Sequence, residues 1–173
     1  HTCLPVPPFI LGASNPDMTI TKDDYQAFSE FEKAAWVKLP EHYDTIVGPM
    51  TRRAVEAVLD SVALRPGMAL LDVASGLGYV AAEAQRRGAE ATGLDFSLDM
   101  INEARRHFPD LKIDQGDAEN LDYDDASFDA VTCAFGMLHF PRPGKALAEA
   151  YRVLRPGGRF AFTVWVAPPK NKF

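Results

Sequence analysis

The chain has 173 residues, 47% of them hydrophobic and 24% charged, a balance that fits one globular domain with a sizeable core. Its formal net charge of −6 argues against a broadly basic face for nucleic acid, and its two cysteines are too few for a disulfide scaffold. No apolar run reaches the ~18–20 residues of a membrane span, and residues 1–10 lack the basic and apolar regions of a signal peptide. The expectations are therefore no nucleic acid, no membrane span, and a reducing, cytoplasmic setting.

Residues 1–17 carry four prolines and no periodicity, and they read as a leader or cloning scar, with Met18 as a natural start. Residues 18–64 read as an N-terminal helical cap. Its first helix is expected from Thr21 or Lys22 to Lys38, with Tyr25, Phe28, Ala35 and Trp36 as its apolar positions. A link is expected over 43–48. Thr51 can cap a second helix over 52–62, where Val55, Val58, Leu59 and Val62 repeat at i, i+3, i+4, i+7.

The pattern changes at residue 65, where an α/β core is expected to run to 167. Met68 to Ala74 is a short, nearly continuous apolar run, as in a strand buried on both faces. A small-residue turn (Ser75-Gly76-Leu77-Gly78) and a helix from Tyr79 to Arg87, closed by Gly88, come next. Strand two covers 89–94, and Ser97 caps a helix to His107. Strand three covers 111–115, an acidic loop 120–127, and strand four 128–135. A helix over 143–154 is closed by Arg155-Pro156-Gly157-Gly158, and strand five covers 159–166, leaving 168–173 as a tail. This alternation predicts an α/β, doubly wound, mostly parallel sheet. The arginine pairs at 52–53, 86–87 and 105–106 sit beside acids and read as solvated faces. Cys133 reads as a core residue.

In such a sheet ligands bind beyond the carboxyl ends of the strands, so the turn after strand one is the first candidate site. Gly76 and Gly78 let a ligand approach the backbone, and Ala74 and Ser75 are small. Asp95 ends strand two, where a carboxylate can accept both hydroxyl hydrogens of a ribose, or merely cap the next helix. Gly76-Leu77-Gly78-Tyr79-Val80-Ala81 also satisfies the dinucleotide fingerprint, which keeps a nicotinamide-dependent oxidoreductase as a rival. Three neighbours weigh against that rival. Asp72, just before the turn, suits a ligand carrying an ammonium and a fixed positive charge better than a pyrophosphate. Asp117 in Gly116-Asp117-Ala118-Glu119 could accept from an adenine amino group, or be a solvated loop acid. Ala134-Phe135-Gly136 makes an apolar lip on the same cleft. Asp129 is assigned to the start of strand four and not to the site.

Leu71-Asp72-Val73-Ala74-Ser75-Gly76-Leu77-Gly78 resembles motif I of the class I S-adenosylmethionine-dependent methyltransferases. Residues 68–166 are similar to the methyltransferase type 11 and ubiquinone/menaquinone-biosynthesis-like group. Gly93-Leu94-Asp95-Phe96-Ser97, Gly116-Asp117-Ala118-Glu119, Ser127-Phe128-Asp129-Ala130-Val131 and Leu154-Arg155-Pro156-Gly157-Gly158-Arg159 carry the likeness further. Ala74 departs from it, since many members have glycine there.

The resemblance implies a Rossmann-like methyltransferase fold with S-adenosyl-L-methionine as cofactor and a small-molecule methyl acceptor. Ala74, Ser75, Gly76 and Gly78 would line the methionine moiety, and Asp95 would bind the ribose hydroxyls. Phe96 and Met100 would pack on adenine or ribose, with core filling the other reading of Met100. Asp117 and Ala118 would read the adenine edge, and Ala134-Phe135 would close the methionine end. His139 is the one histidine placed to act as a general base, or it is a packed or surface residue. Tyr25, Trp36, His42 and Tyr43 belong to a cap that could cover the cofactor. Members normally continue past strand five with a helix and two strands. The chain is accordingly expected to be truncated after strand five, with Phe160, Phe162 and Trp165 exposed on an edge that could pair in a homo-oligomer. A non-catalytic cofactor-binding fragment is the second alternative.

Overall fold

A computed structural model describes residues 20–36 and 40–165. The expected leader and the 168–173 tail lie outside them. The apolar runs form five parallel strands, β1 (Ala69–Val73), β2 (Glu90–Asp95), β3 (Lys112–Gln115), β4 (Phe128–Ala134) and β5 (Leu154–Thr163). Their order across the sheet is β3-β2-β1-β4-β5. The chain winds outward from β1 to β3, then returns to place β4 on the other side of β1. That reversal is the topological switch point, and it opens a crevice at the carboxyl ends of β1, β2 and β4.

Alternate residues along each strand feed two apolar layers, as the period of two requires. Leu70 and Ala130 face one side, where they pack with Val55, Leu59, Val80 and Ala84. These come from α4 (Val55–Ser61) and α5 (Tyr79–Arg86), and α6 (Leu98–His107) packs on β3 through Ile101, Ala104 and Ile113. Leu71, Val73, Val131 and Cys133 face the other side, against Ala146, Ala150 and Val153 of α7 (Pro143–Val153). Burial pushes the Cys133 thiol up to about 12, so it stays protonated in that layer.

The elements before the sheet differ from the sequence reading in two places. The expected link at 43–48 is mostly helical, in α2 (Pro40–Ile46) and the single turn α3 (Gly48–Thr51). Thr51 caps nothing. Its hydroxyl donates back to the carbonyls of Val47 (3.4 Å) and Gly48 (3.2 Å), and a 3₁₀ turn over Arg52–Ala54 leads directly into α4. The first helix, α1, covers Lys22–Trp36.

Strand five also begins earlier than expected. Leu154 already pairs with Phe128, and the ladder resumes at Arg159 opposite Ala130. Arg155-Pro156-Gly157-Gly158 is therefore a bulge inside the strand, with Gly157 at φ +82°. Phe162 and Trp165 are about half exposed, as expected of an edge, whereas Phe160 is only partly exposed and packs against the α7 layer.

Of the arginine pairs, Arg86 and Arg106 are solvated as expected, whereas Arg87 is largely covered, Arg52 packs over the Tyr79 ring and Arg105 donates to the Ile113 carbonyl. Arg52 pairs with Asp44, Arg86 and Arg87 with Glu83, and Arg106 with Glu103. No described helix is long and apolar enough to cross a membrane.

Candidate functional site

The turn after β1 is built as the glycines predict. Gly76 and Gly78 sit at φ +54° and +81°, a region that L side chains rarely adopt. Gly78 lies immediately before α5. Ala74 and Phe135, at the carboxyl ends of β1 and β4, also have positive φ, +53° and +63°. Two strained non-glycine residues on neighbouring strand ends mark the crevice as over-determined by its surroundings.

Asp95 ties this turn to the next one. Its Oδ2 accepts from the Gly76 backbone N–H (2.8 Å) and its Oδ1 from that of Ser97 (2.9 Å). Ser97 in turn caps α6 by accepting from the Met100 N–H. Asp95 is buried, and burial raises its pKa against the pull of those backbone donors.

Asp72 lies beneath the turn at 1% exposure. Its Oδ1 accepts from the Thr132 hydroxyl (2.8 Å), while its Oδ2 and the Ser75 Oγ have no hydrogen-bond partner. Burial pushes the Asp72 carboxyl up to about 7. Two orphaned polar atoms under a glycine turn are unusual in a core, where nearly all buried polar groups are paired. The Ser75 hydroxyl and the Ala81 backbone N–H are close enough to the carboxylate to offset part of the cost of its burial.

A cleft of about 830 Å³ opens beside the turn. Of the expected site residues, Ala74, Phe96, Asp117, Ala118 and His139 line it. Asp117 turns one oxygen back to the Glu119 N–H (2.8 Å), leaving the other available. The other expected site residues, Asp72, Ser75, Gly76, Gly78, Asp95, Met100, Ala134 and Phe135, do not line it. Met100 is buried, and its methyl lies 3.5 Å from where a Gly76 Cβ would stand. Ala134 and Phe135 sit at the end of β4, with the Phe135 ring stacked on Trp165 at 4.2 Å. Asp129 lies outside the cleft, accepting from the Ala69 N–H and Arg155. Among the described residues, no group of His, Cys, Asp and Glu could hold a metal ion.

Other wall residues had no sequence motif. The α1 helix supplies Lys22, Gln26, Glu32 and Lys33, and Tyr25 of the expected cap beside them. Glu32 stands four residues from both Phe28 and Trp36, a carboxylate on an apolar stripe, and that was the signal available. Glu119 is buried and bridges to Arg142, accepting from its N–H and its Nε at 2.6 Å each.

The lip at Gly136 leaves no room for a side chain. A Cβ there would stand 2.5 Å from the Ala74 Cβ and 2.8 Å from the Cys133 Sγ. Gly136→Ala is expected to destabilise the fold by about 1–3 kcal/mol, as overpacked cores do, read as a lower midpoint in urea unfolding. Gly136→Ala combined with Ala74→Gly should recover part of that loss, the contact with the Cys133 Sγ remaining.

The family model described as "Methyltransferase domain" matches residues 71–162. A demethylmenaquinone methyltransferase of Renibacterium salmoninarum is 39% identical over 130 residues, 75% of this chain and 55% of that protein. Another, of Beutenbergia cavernae, is 35% identical over 158 residues, 91% of this chain and 65% of that protein. The chain thus spans between half and two thirds of these relatives. Among solved structures, YcgJ of Bacillus subtilis superposes with TM-score 0.62 at 28% identity, covering 68% of this chain and 53% of that one. The [4+2]-cyclase SpnF does so with TM-score 0.59 at 30% identity, covering 65% and 44%. The glycine turn, the aspartate after β2, the sheet order and the family match over more than half of the chain agree: the chain belongs to the methyltransferase domain family, within the class I S-adenosylmethionine-dependent methyltransferases.

Proposed function

We propose that this chain carries the cofactor-binding part of an enzyme that transfers a methyl group from S-adenosyl-L-methionine to a small, quinone-type acceptor. One observation carries the reading: the positive-φ glycine turn, tied by Asp95 and underlain by the unpaired Asp72 Oδ2 and Ser75 Oγ, sits at the switch point beside the cleft. The quinone class rests on the names of the relatives.

In this reading the turn from Ala74 to Gly78, with Asp72 behind it, holds the amino-acid end of the cofactor. Asp95 takes the ribose hydroxyls, Phe96 and Met100 support the rings, and Asp117 and Ala118 meet the adenine edge. Ala134 and Phe135 close the methionine end. The bound cofactor supplies a methyl already activated on a sulfonium, so the protein's part is alignment, exclusion of water and handling of a proton. An acidic chain with most of its arginines paired to carboxylates suits a small uncharged acceptor held by the cleft, not a phosphate backbone.

Calorimetry with S-adenosylhomocysteine and, separately, NADH tests the assignment. Binding of the first and not the second is expected. NADH binding without S-adenosylhomocysteine binding would establish the oxidoreductase instead.

A further inference from the structure

Glu32 and His139 stand 107 residues apart in the chain, yet the Glu32 Oε2 lies 2.8 Å from the His139 Nδ1. The same Oε2 accepts from the Trp36 Nε1 at 3.0 Å. The Trp36 and His139 rings meet edge to face, their centroids 4.9 Å apart at 89°. Glu32 is on α1, and His139 ends the 3₁₀ turn (Met137–His139) that follows β4. Both line the cleft, and their side chains are 14% and 27% exposed. The imidazole is thus held by a carboxylate on one nitrogen and by an indole against its ring. Its Nε2 has no hydrogen-bond partner among the described residues.

We propose that His139 is the general base of the methyl transfer and that Glu32 is its positioning residue. The proposal rests on the function proposed above. A carboxylate at Nδ1 selects the tautomer that carries hydrogen there, which leaves the Nε2 lone pair as the proton acceptor. The acceptor's proton, from O–H or an activated C–H, passes to Nε2. The electron pair so released forms the bond to the methyl carbon, and the carbon–sulfur bond breaks with its pair remaining on sulfur. His139 becomes an imidazolium beside the Glu32 carboxylate and gives its proton to solvent. The charged groups around it are Glu32 and Lys33 from α1, Asp95 from the end of β2, Glu119 from the loop after β3, and Arg142 before α7. Arg142 and Glu119 are paired with each other, and Glu32 is the carboxylate in direct contact with the imidazole.

The test has three parts on the full chain. Calorimetry with S-adenosylhomocysteine checks the underlying function. Turnover with 1,4-naphthalenediol as the methyl acceptor is compared for wild type, His139→Ala and Glu32→Gln across pH. Nitrogen-15 NMR of the imidazole reports its tautomer with and without 1,4-naphthalenediol. His139→Ala is expected to lower kcat by roughly 10²–10⁴-fold while S-adenosylhomocysteine affinity stays within about threefold. Glu32→Gln should lower kcat by about tenfold or more and displace the acidic limb of the kcat profile. In wild type the Nδ1–H tautomer should dominate, and the Nε2 shift should respond to 1,4-naphthalenediol. Retention of kcat in His139→Ala overturns the proposal. So does a wild-type chain that binds S-adenosylhomocysteine while His139 shows neither the tautomer nor the response. Absence of S-adenosylhomocysteine binding in wild type strikes the function itself.

Discussion

Replacing Asp72 with asparagine is expected to stabilise the folded chain at neutral and alkaline pH while weakening its cofactor site. The Asp72 carboxyl lies at about 7 in the fold, against an ordinary 3.8. Below 3.8 it is protonated whether folded or unfolded. Between 3.8 and 7 only the folded chain keeps the proton, so stability falls as pH rises through this window and levels off above it. At about 1.36 kcal/mol per pH unit, ionising Asp72 inside the fold costs on the order of 4 kcal/mol. Asparagine carries no charge to bury and still offers an oxygen to the Thr132 hydroxyl. Asp72→Asn should therefore gain a few kcal/mol at pH 8, little at pH 4, and lose most of the downward slope between them. A slope of the same sign remains from Asp95, whose pKa is also raised by burial. Glu83, held at about 2 by Arg86 and Arg87, works in the opposite direction and only at more acidic pH. Urea unfolding at pH 4, 6 and 8 reads the effect, and parallel pH profiles for the two proteins would refute it. In the same variant, S-adenosylhomocysteine binding should weaken about tenfold or more, since the charge proposed to meet the ligand's ammonium is gone. Stability and affinity moving in opposite directions are what a residue kept for function shows.

Asp95→Ala should lose on both counts. The substitution leaves the Gly76 and Ser97 backbone N–H groups without their acceptor, at about 1.5–3 kcal/mol for each bond to a charged group. Relief of the buried carboxylate returns part of that loss, so a net destabilisation of about 2–4 kcal/mol is expected. Asp95→Asn should recover little, because an amide offers one acceptor and turns a donor toward the other N–H. Both variants free the glycine turn from the start of α6. S-adenosylhomocysteine affinity should then fall by about a hundredfold or more, two orders at 1.4 kcal/mol each. Urea midpoints and calorimetry measure the two effects separately. Wild-type affinity in Asp95→Ala would show that the staple, and the ribose role with it, is unimportant to the site.

The strands, their parallel alternation with helices and the glycine turn were legible from residues 68–166, because each is a local pattern. Continuous apolar runs mark strands covered on both faces, and Gly76 and Gly78 announce a backbone that other residues resist. The caps were less legible. Ser97 holds its helix as expected, but Thr51 returns its hydroxyl to the preceding turn, a choice made by the helices on either side of it. The bulge over 155–158 looked like a turn because Pro-Gly-Gly is turn chemistry, and only pairing with β4 carries the ladder through it. For the site, local pattern was enough to find the glycine turn, the aspartates at 72, 95 and 117, and the family they resemble. Tertiary structure decided what each does: Asp95 staples two backbone turns, Asp72 is buried with one oxygen unpaired, and Glu119 clamps Arg142. It also decided that Glu32 meets His139 across 107 residues, since no periodicity or spacing encodes a contact between side chains that only the folded chain brings together.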